Sequence, residues 1–233
     1  MLKTKNEELV SKIVDLELKM FTEMHDINPI EAENMPMFKR MRMLYYSALS
    51  DKTLEIWLRD LNRAYKNGRN VIIEKYAMLS GKLKIMKIKS MAEKNSLDEA
   101  DLSLKDTIKN SEAKELKTSE KISAEDKVTI IAEQERLWKD ELMEEYPLAI
   151  RQKCAAEENL EQSLYCELHT WSEESIDSYF EDVYLAKKRN VNLNEKRFNN
   201  YYKSKGQGSL AEVEEILRNK KNKSRIKKNK KLG

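Results

Sequence analysis

The chain has 233 residues, of which 36% are charged and 40% hydrophobic, with only five Gly and three Pro. That excludes a fold built on tight turns and points to helices. No apolar run approaches the roughly 18 residues of a membrane span.

The N-terminal residues Met1 to Glu8 lack the apolar core of a signal peptide. Cys154 and Cys166 would lie about 18 Å apart on one helix, too far for a disulfide. The expectation is a soluble, cytoplasmic protein with reduced thiols. Its formal charge of +3 hides an asymmetry. Nine Lys or Arg and no acid fall in residues 218–233, leaving 35 basic against 41 acidic residues, a net −6, in residues 1–217. The tail reads as a disordered, solubilising end, with nucleic acid bound weakly through it at most.

The first helix is predicted from about Lys5 to Met24. Leu9, Val10, Ile13, Val14, Phe21 and Met24 form one broad apolar arc, and Glu17 falls in its middle. An acid there needs a partner inside the fold. Residues 25–34 read as a loop, and Pro36 suits the first turn of a second helix. The inward face of that helix is Met37, Phe38, Met41, Leu44, Tyr45, Ala48 and Leu49, with Arg40 and Arg42 at its flanks. Ser50 caps a third helix, with Leu54, Trp57, Leu58, Leu61, Ala64 and Tyr65 on one face. Gly68 ends it, and Asn70 caps a fourth. From Val71 to Leu79 apolar residues point in nearly every direction, so the fourth helix is expected to be buried all round. Glu74 and Lys75 inside it would then have to be paired.

Residues 82–123 are polar, hold no aromatic residue and read as a partly disordered or weakly helical linker. Ser123-Ala-Glu-Asp126 caps a helix reaching Tyr146, where Pro147 stops it. Val128, Ile131, Trp138, Leu142 and Tyr146 form its stripe, with Glu135 near the centre. A further helix carries Leu160, Leu164, Leu168 and Trp171, with Glu167 beside that face. Ser172 caps the next, to Arg189, and a last core helix spans about Asn194 to Lys203. Ser209-Leu-Ala-Glu212 is a capping box that opens a terminal helix fraying into the basic tail.

The two halves align. Ser50-Asp-Lys-Thr-Leu54 through Asp60-Leu61 matches Ser172-Glu-Glu-Ser-Ile176 through Asp182-Val183 at an offset of 122. Glu17 precedes its serine by 33 residues and Glu135 precedes its own by 37. The pattern predicts a duplicated unit of about four helices. The expectation is therefore an all-α bundle. Residues 1–81 form one unit, 124–207 the second, and 208–233 the terminal helix and tail. Packed about an approximate two-fold axis, the units would bring Glu17 towards Glu135.

Several of these segments resemble a bacterial family called domain of unknown function 4125. They are Glu17 to Phe21, Phe38-Lys-Arg-Met-Arg42, Ser50 with Leu54, and Gly68-Arg-Asn with Glu74-Lys-Tyr-Ala77. The second half is similar more loosely, at Tyr146-Pro147, Glu167-Leu168, Ser172 and Gly208-Ser209-Leu210. In the family a Gly-Gly-Arg-Ala-Ser-Cys-Gln-Asp-Asp-like segment precedes the phenylalanine matched by Phe38. Here residues 26–34 read Asp-Ile-Asn-Pro-Ile-Glu-Ala-Glu-Asn, and the cysteine is gone. The resemblance implies a fold and names no activity.

Little in the chain spells out chemistry. Two histidines, His25 and His169, and the absence of Glu-x-x-His remove the di-iron arrangement of helical bundles. Cys166-x-x-His169 puts two ligands on one face, too few for a metal site, so no residue is assigned as a metal ligand and the cofactor, if any, is unknown. What remains is a set of interior polar residues. One reading makes Arg42, Arg69, Asn70, Glu74, Lys75 and Tyr76 a central cleft for a small anion or a protein partner. The other makes Glu17 and Glu135 paired catalytic carboxylates, acting as general base or with a divalent metal.

Overall fold

The computed structural model describes residues 3–25, 35–81, 122–154 and 160–229. Among them the regular structure is helical throughout. The helices are α1 (Lys5–His25), α2 (Met35–Tyr46), α3 (Asp51–Lys66), α4 (residues 71–81), α5 (Ala124–Glu145), α6 (Pro147–Cys154), α7 (Leu160–Leu168), α8 (Glu173–Lys188), α9 (Leu193–Ser204) and α10 (Leu210–Asn229). The expected linker, apart from its last two residues, and residues 26–34 lie outside the described residues. No helix among those described is long and apolar enough to cross a membrane.

The boundaries follow local chemistry. Ser50, Ser123 and Ser172 each accept a hydrogen bond from the backbone N–H three residues on, at Thr53, Asp126 and Ser175. α3 ends with Gly68 at φ 72°, its following amide donating from Arg69 to the Ala64 carbonyl at 2.9 Å. This six-to-one closure needs a left-handed residue, which Gly supplies without strain. α8 closes in the same way on Asn190 at φ 53°, with Val191 donating to Ala186 at 2.9 Å. Asparagine is among the few side-chain-bearing residues that visit this region readily. Pro147 stops α5 as expected and also opens α6. Its fixed φ and missing N–H fit a first helical position.

α1 packs on α2 and α3, and α5 packs on α7 and α8. α3 lies against α8 and joins the two sets, while α9 bridges α5 and α2. At this junction Trp57 and Trp171 stack at 4.3 Å with their planes 13° apart. Around them Ile13, Leu54, Leu61, Ile131, Leu168 and Tyr179 are fully buried. Replacing Trp57 with Ala would cost about 3–5 kcal/mol through the cavity it leaves. A smaller core of Leu142, Ala149, Ile150, Phe198, Tyr202 and Leu210 fastens α6 and α10 to the ends of α5 and α9. Glu214 is buried here because its carboxylate accepts the free α6 amides of Leu148 and Ala149, at 2.9 and 2.8 Å.

Contacts recur at the offset seen in the sequence. The Ser50 amide and the Thr53 hydroxyl donate to Asp182 at 2.9 and 2.8 Å. The hydroxyls of Ser172 and Ser175, each 122 positions later, donate to Asp60, which is itself 122 before Asp182. On the surface Lys52 pairs with Glu181, and Arg59 with Glu174. Asn70 caps α4 and donates to the Met20 carbonyl, as Asn192 caps α9 and donates to the Trp138 carbonyl.

Three expectations need correction. α4 is not buried all round: Ala77, Ser80 and Gly81 are exposed, and Glu74 is only partly covered. Ile73, Tyr76, Met78 and Leu79 are only half-buried, because an apolar side chain leaves water only where a neighbour covers it. On α2 Met37 is 41% exposed, while Arg42, placed at the flank, is buried. The reason is that Arg42 has carboxylates to meet inside. Finally, the basic tail, read as a disordered end, is helical as far as Asn229.

Candidate functional site

Among the described residues, two buried ion-pair clusters occupy the interior. The first grows from Glu17, fully buried on α1. Arg42, one helix later, grips it with two parallel bonds, Nε to Oε2 at 2.7 Å and Nη2 to Oε1 at 2.6 Å. The Tyr46 hydroxyl, one turn on from Arg42, donates to Glu17 Oε1 at 2.6 Å and accepts from Trp57 Nε1 at 3.0 Å. The remaining Arg42 nitrogen, Nη1, reaches Glu167 Oε2 on α7 at 2.6 Å, and Lys75 Nζ meets the same oxygen at 2.8 Å.

The second cluster grows from Glu135 on α5. Arg197 donates to both of its oxygens, to Oε1 through Nη2 at 2.9 Å, and Tyr179 donates to Oε1 at 2.6 Å. Asn194 holds the Glu135 carbonyl at 2.9 Å and accepts from Arg197 at 2.8 Å. Tyr45 ties the clusters together. Its hydroxyl donates to that of Tyr179 at 3.1 Å, its carbonyl accepts from Arg197 Nε, and its ring lies 4.8 Å from the Arg197 guanidinium and 5.7 Å from that of Arg42.

The electrostatics follow from this balance of three carboxylates and three cations. Burial raises the Glu167 pKa, but the charges of Arg42 and Lys75 outweigh it and bring the carboxyl down to about 2. Burial works against the Arg42 cation, yet Glu167 and Glu17 raise its pKa well above the ordinary value. Tyr45, Tyr46 and Tyr179 are pushed well above 10, chiefly by burial, and stay protonated donors.

Of the residues singled out in the sequence, Glu17, Arg42 and Lys75 come together in the first cluster. Glu135 belongs to the second and shares no hydrogen-bond partner with Glu17. Asn70 is a helix cap. Arg69 and Glu74 form a surface pair, with side chains 51% and 35% exposed, and Arg69 also approaches the Thr170 carbonyl at 3.5 Å. Tyr76 is half-buried, its ring 5.8 Å from Lys75 Nζ. Sequence reasoning noted Glu167 without giving it a role and passed over Arg197, Tyr46 and Tyr179. Arg197 had a signal of its own: it lies on the face of α9 defined by Leu193, Asn194 and Phe198, where a cation demands a buried acid. Cys166 is fully buried, whereas His169 sits at the surface between the Tyr165 carbonyl and Glu125, so the pair makes no ligand set. Among the described residues no three His, Cys, Asp or Glu side chains cluster in a way that could hold a metal ion.

Comparison with known proteins gives family membership alone. No curated protein and no solved structure matches the chain. One family model does, that of a protein of unknown function (DUF4125), over residues 7–215, a span that contains both clusters. This chain therefore belongs to the DUF4125 family.

Proposed function

We propose that this chain is a non-catalytic binding protein, built from two copies of one four-helix unit and taking a small anion at the seam between them. The observation that carries the reading is the state of Glu167. Its carboxylate is held by Arg42 and Lys75, two cations from the other half, through Oε2 alone. Its Oε1 is buried with no hydrogen-bond partner. The protein's own carboxylate thus occupies a two-cation anion site, and a ligand carboxylate or phosphate has the chemistry to exchange with it. Lys75 is the most exposed charged side chain of the cluster, at 13%, and marks the way in. An acidic side chain of a protein partner would be read by the same two cations.

Duplication is supported by the matching caps and by the reciprocal Asp60 and Asp182 contacts. Binding is favoured over catalysis by Glu17 and Glu135. Each oxygen of both carboxylates already accepts a bond from arginine, and one of each also accepts from tyrosine. A general base needs a lone pair aimed at its substrate.

Native mass spectrometry of the purified chain tests the proposal. The expected result is an anionic adduct of constant mass that Lys75→Met loses. A bare mass, together with a melting temperature that neither phosphate nor citrate raises, would leave the cluster a purely structural joint.

A further inference from the structure

α10 begins as part of the body and continues as something else. Leu210 is fully buried, Val213 and Leu217 pack on the smaller core, and Glu214 caps α6. From Arg218 to Lys223 every residue is exposed, yet the helix runs on to Asn229. Residues 218–229 include seven Lys or Arg, and no acid follows Glu215 anywhere in the chain. Arg218 meets Glu214 one turn back, at 3.2 Å. A polyanion would find these exposed cations along one continuous helix.

We propose that residues 218–229 of α10 form a DNA-binding arm that grips the phosphate backbone without reading sequence. Twelve helical residues span about 18 Å. The major groove of B-DNA, about 12 Å wide, admits a single helix, whereas that of A-form RNA is too narrow for one. An anionic membrane fits less well, because Ile226 is the only apolar residue in this stretch and gives no apolar face to insert. The body, with its net −6 over residues 1–217, repels phosphate, so the arm carries the contact while the body is held off. The family match ends at residue 215, which places the arm after the shared domain and separates its role from that of the buried seam.

Fluorescence anisotropy with a short random-sequence DNA duplex tests this, comparing the full chain with one ending at Leu217. The full chain is expected to lose about a thousandfold in affinity between roughly 50 and 200 mM salt, as release of counterions from about six phosphates requires. The shortened chain should bind about tenfold more weakly or worse, with an unchanged melting temperature. If shortening lowers that temperature, the triple variant Lys220→Gln, Lys221→Gln, Lys223→Gln replaces it and should lose binding likewise. Undiminished binding by the variant used overturns the proposal. So does a flat salt dependence, or tighter binding to phosphatidylserine vesicles or to duplex RNA.

Discussion

The two buried clusters solve one problem with different cations. In the second half Glu135 is neutralised by Arg197, four residues into α9, and that arginine serves no other carboxylate. In the first half the matching position on α4, 122 residues earlier, is Lys75, and it does not serve Glu17. Arg42 from α2 does, and Lys75 turns instead to Glu167. The acid keeps its place in the stripe of α1 or α5 while the cation arrives from another helix. A buried carboxylate requires neutralisation and filled hydrogen bonds, and it is indifferent to which element supplies them. The consequence is that Arg42 joins the halves, through Glu17 on one side and Glu167 on the other, whereas Arg197 closes a pair within its own half.

That difference sets an order of expected losses. Arg42→Met strands Glu17 without a cation and leaves Glu167 on Lys75 alone, and is expected to cost about 5 kcal/mol, at the upper end for breaking a buried pair. Chemical denaturation measures it, and a loss under 2 kcal/mol would mean that the two acids find other partners. Arg197→Met strands one carboxylate and should cost about 3 kcal/mol. Adding Glu135→Gln should recover about 1–2 kcal/mol of that, a coupling that a double-mutant cycle reads directly. If the second substitution only deepens the loss, the ion pair is not what holds α9 to α5.

Acid should separate the clusters too. The Glu167 carboxyl titrates at about 2 in the folded chain, against an ordinary value of 4.5. As pH falls the unfolded chain takes up that proton first, so the stabilisation is complete above about 4.5 and drains away towards 2. The amount is about 3 kcal/mol. Melting temperature followed through that window should fall less steeply in Glu167→Gln, and equal slopes would remove the assignment. The smallest effects belong to the reciprocal pair at the junction of α3 and α8. Burial raises the Asp60 pKa, but bonds from Ser172, Ser175 and Arg59 more than offset it, leaving the pKa below its ordinary value. Asp60→Asn and Asp182→Asn should each cost about 1–2 kcal/mol, with Asp60 slightly the larger because it also meets Arg59. Very unequal losses would count against a duplicated unit.

Much of this was legible beforehand, for reasons that differ residue by residue. Ser50, Ser123 and Ser172 announced helix starts because capping is decided within four residues. Gly68 announced an end because a left-handed turn demands it. Glu17 and Glu135 stood out as acids within apolar stripes, and both are buried. Their partners were harder to find. Arg42 lay on the predicted margin of α2, and nothing local distinguishes a marginal arginine that turns inward from one that faces water. Glu167 and Lys75 are 92 residues apart, and no spacing rule reaches across that distance. α4 was read as wholly buried because its residues are apolar, yet composition says which faces tolerate burial and cannot say whether a neighbour covers them.

By itself the sequence determined the helices other than α6, their serine caps and the two buried acids. Each depends on free energies set within one or two turns of chain, or on a side chain's own cost of leaving water. The tertiary structure alone decided which cation meets which acid, that Arg42 spans the halves, and that the basic end of the chain prolongs an anchored helix. Those outcomes depend on which helices lie within a side chain's length of each other, and packing sets that distance only after the whole chain has folded.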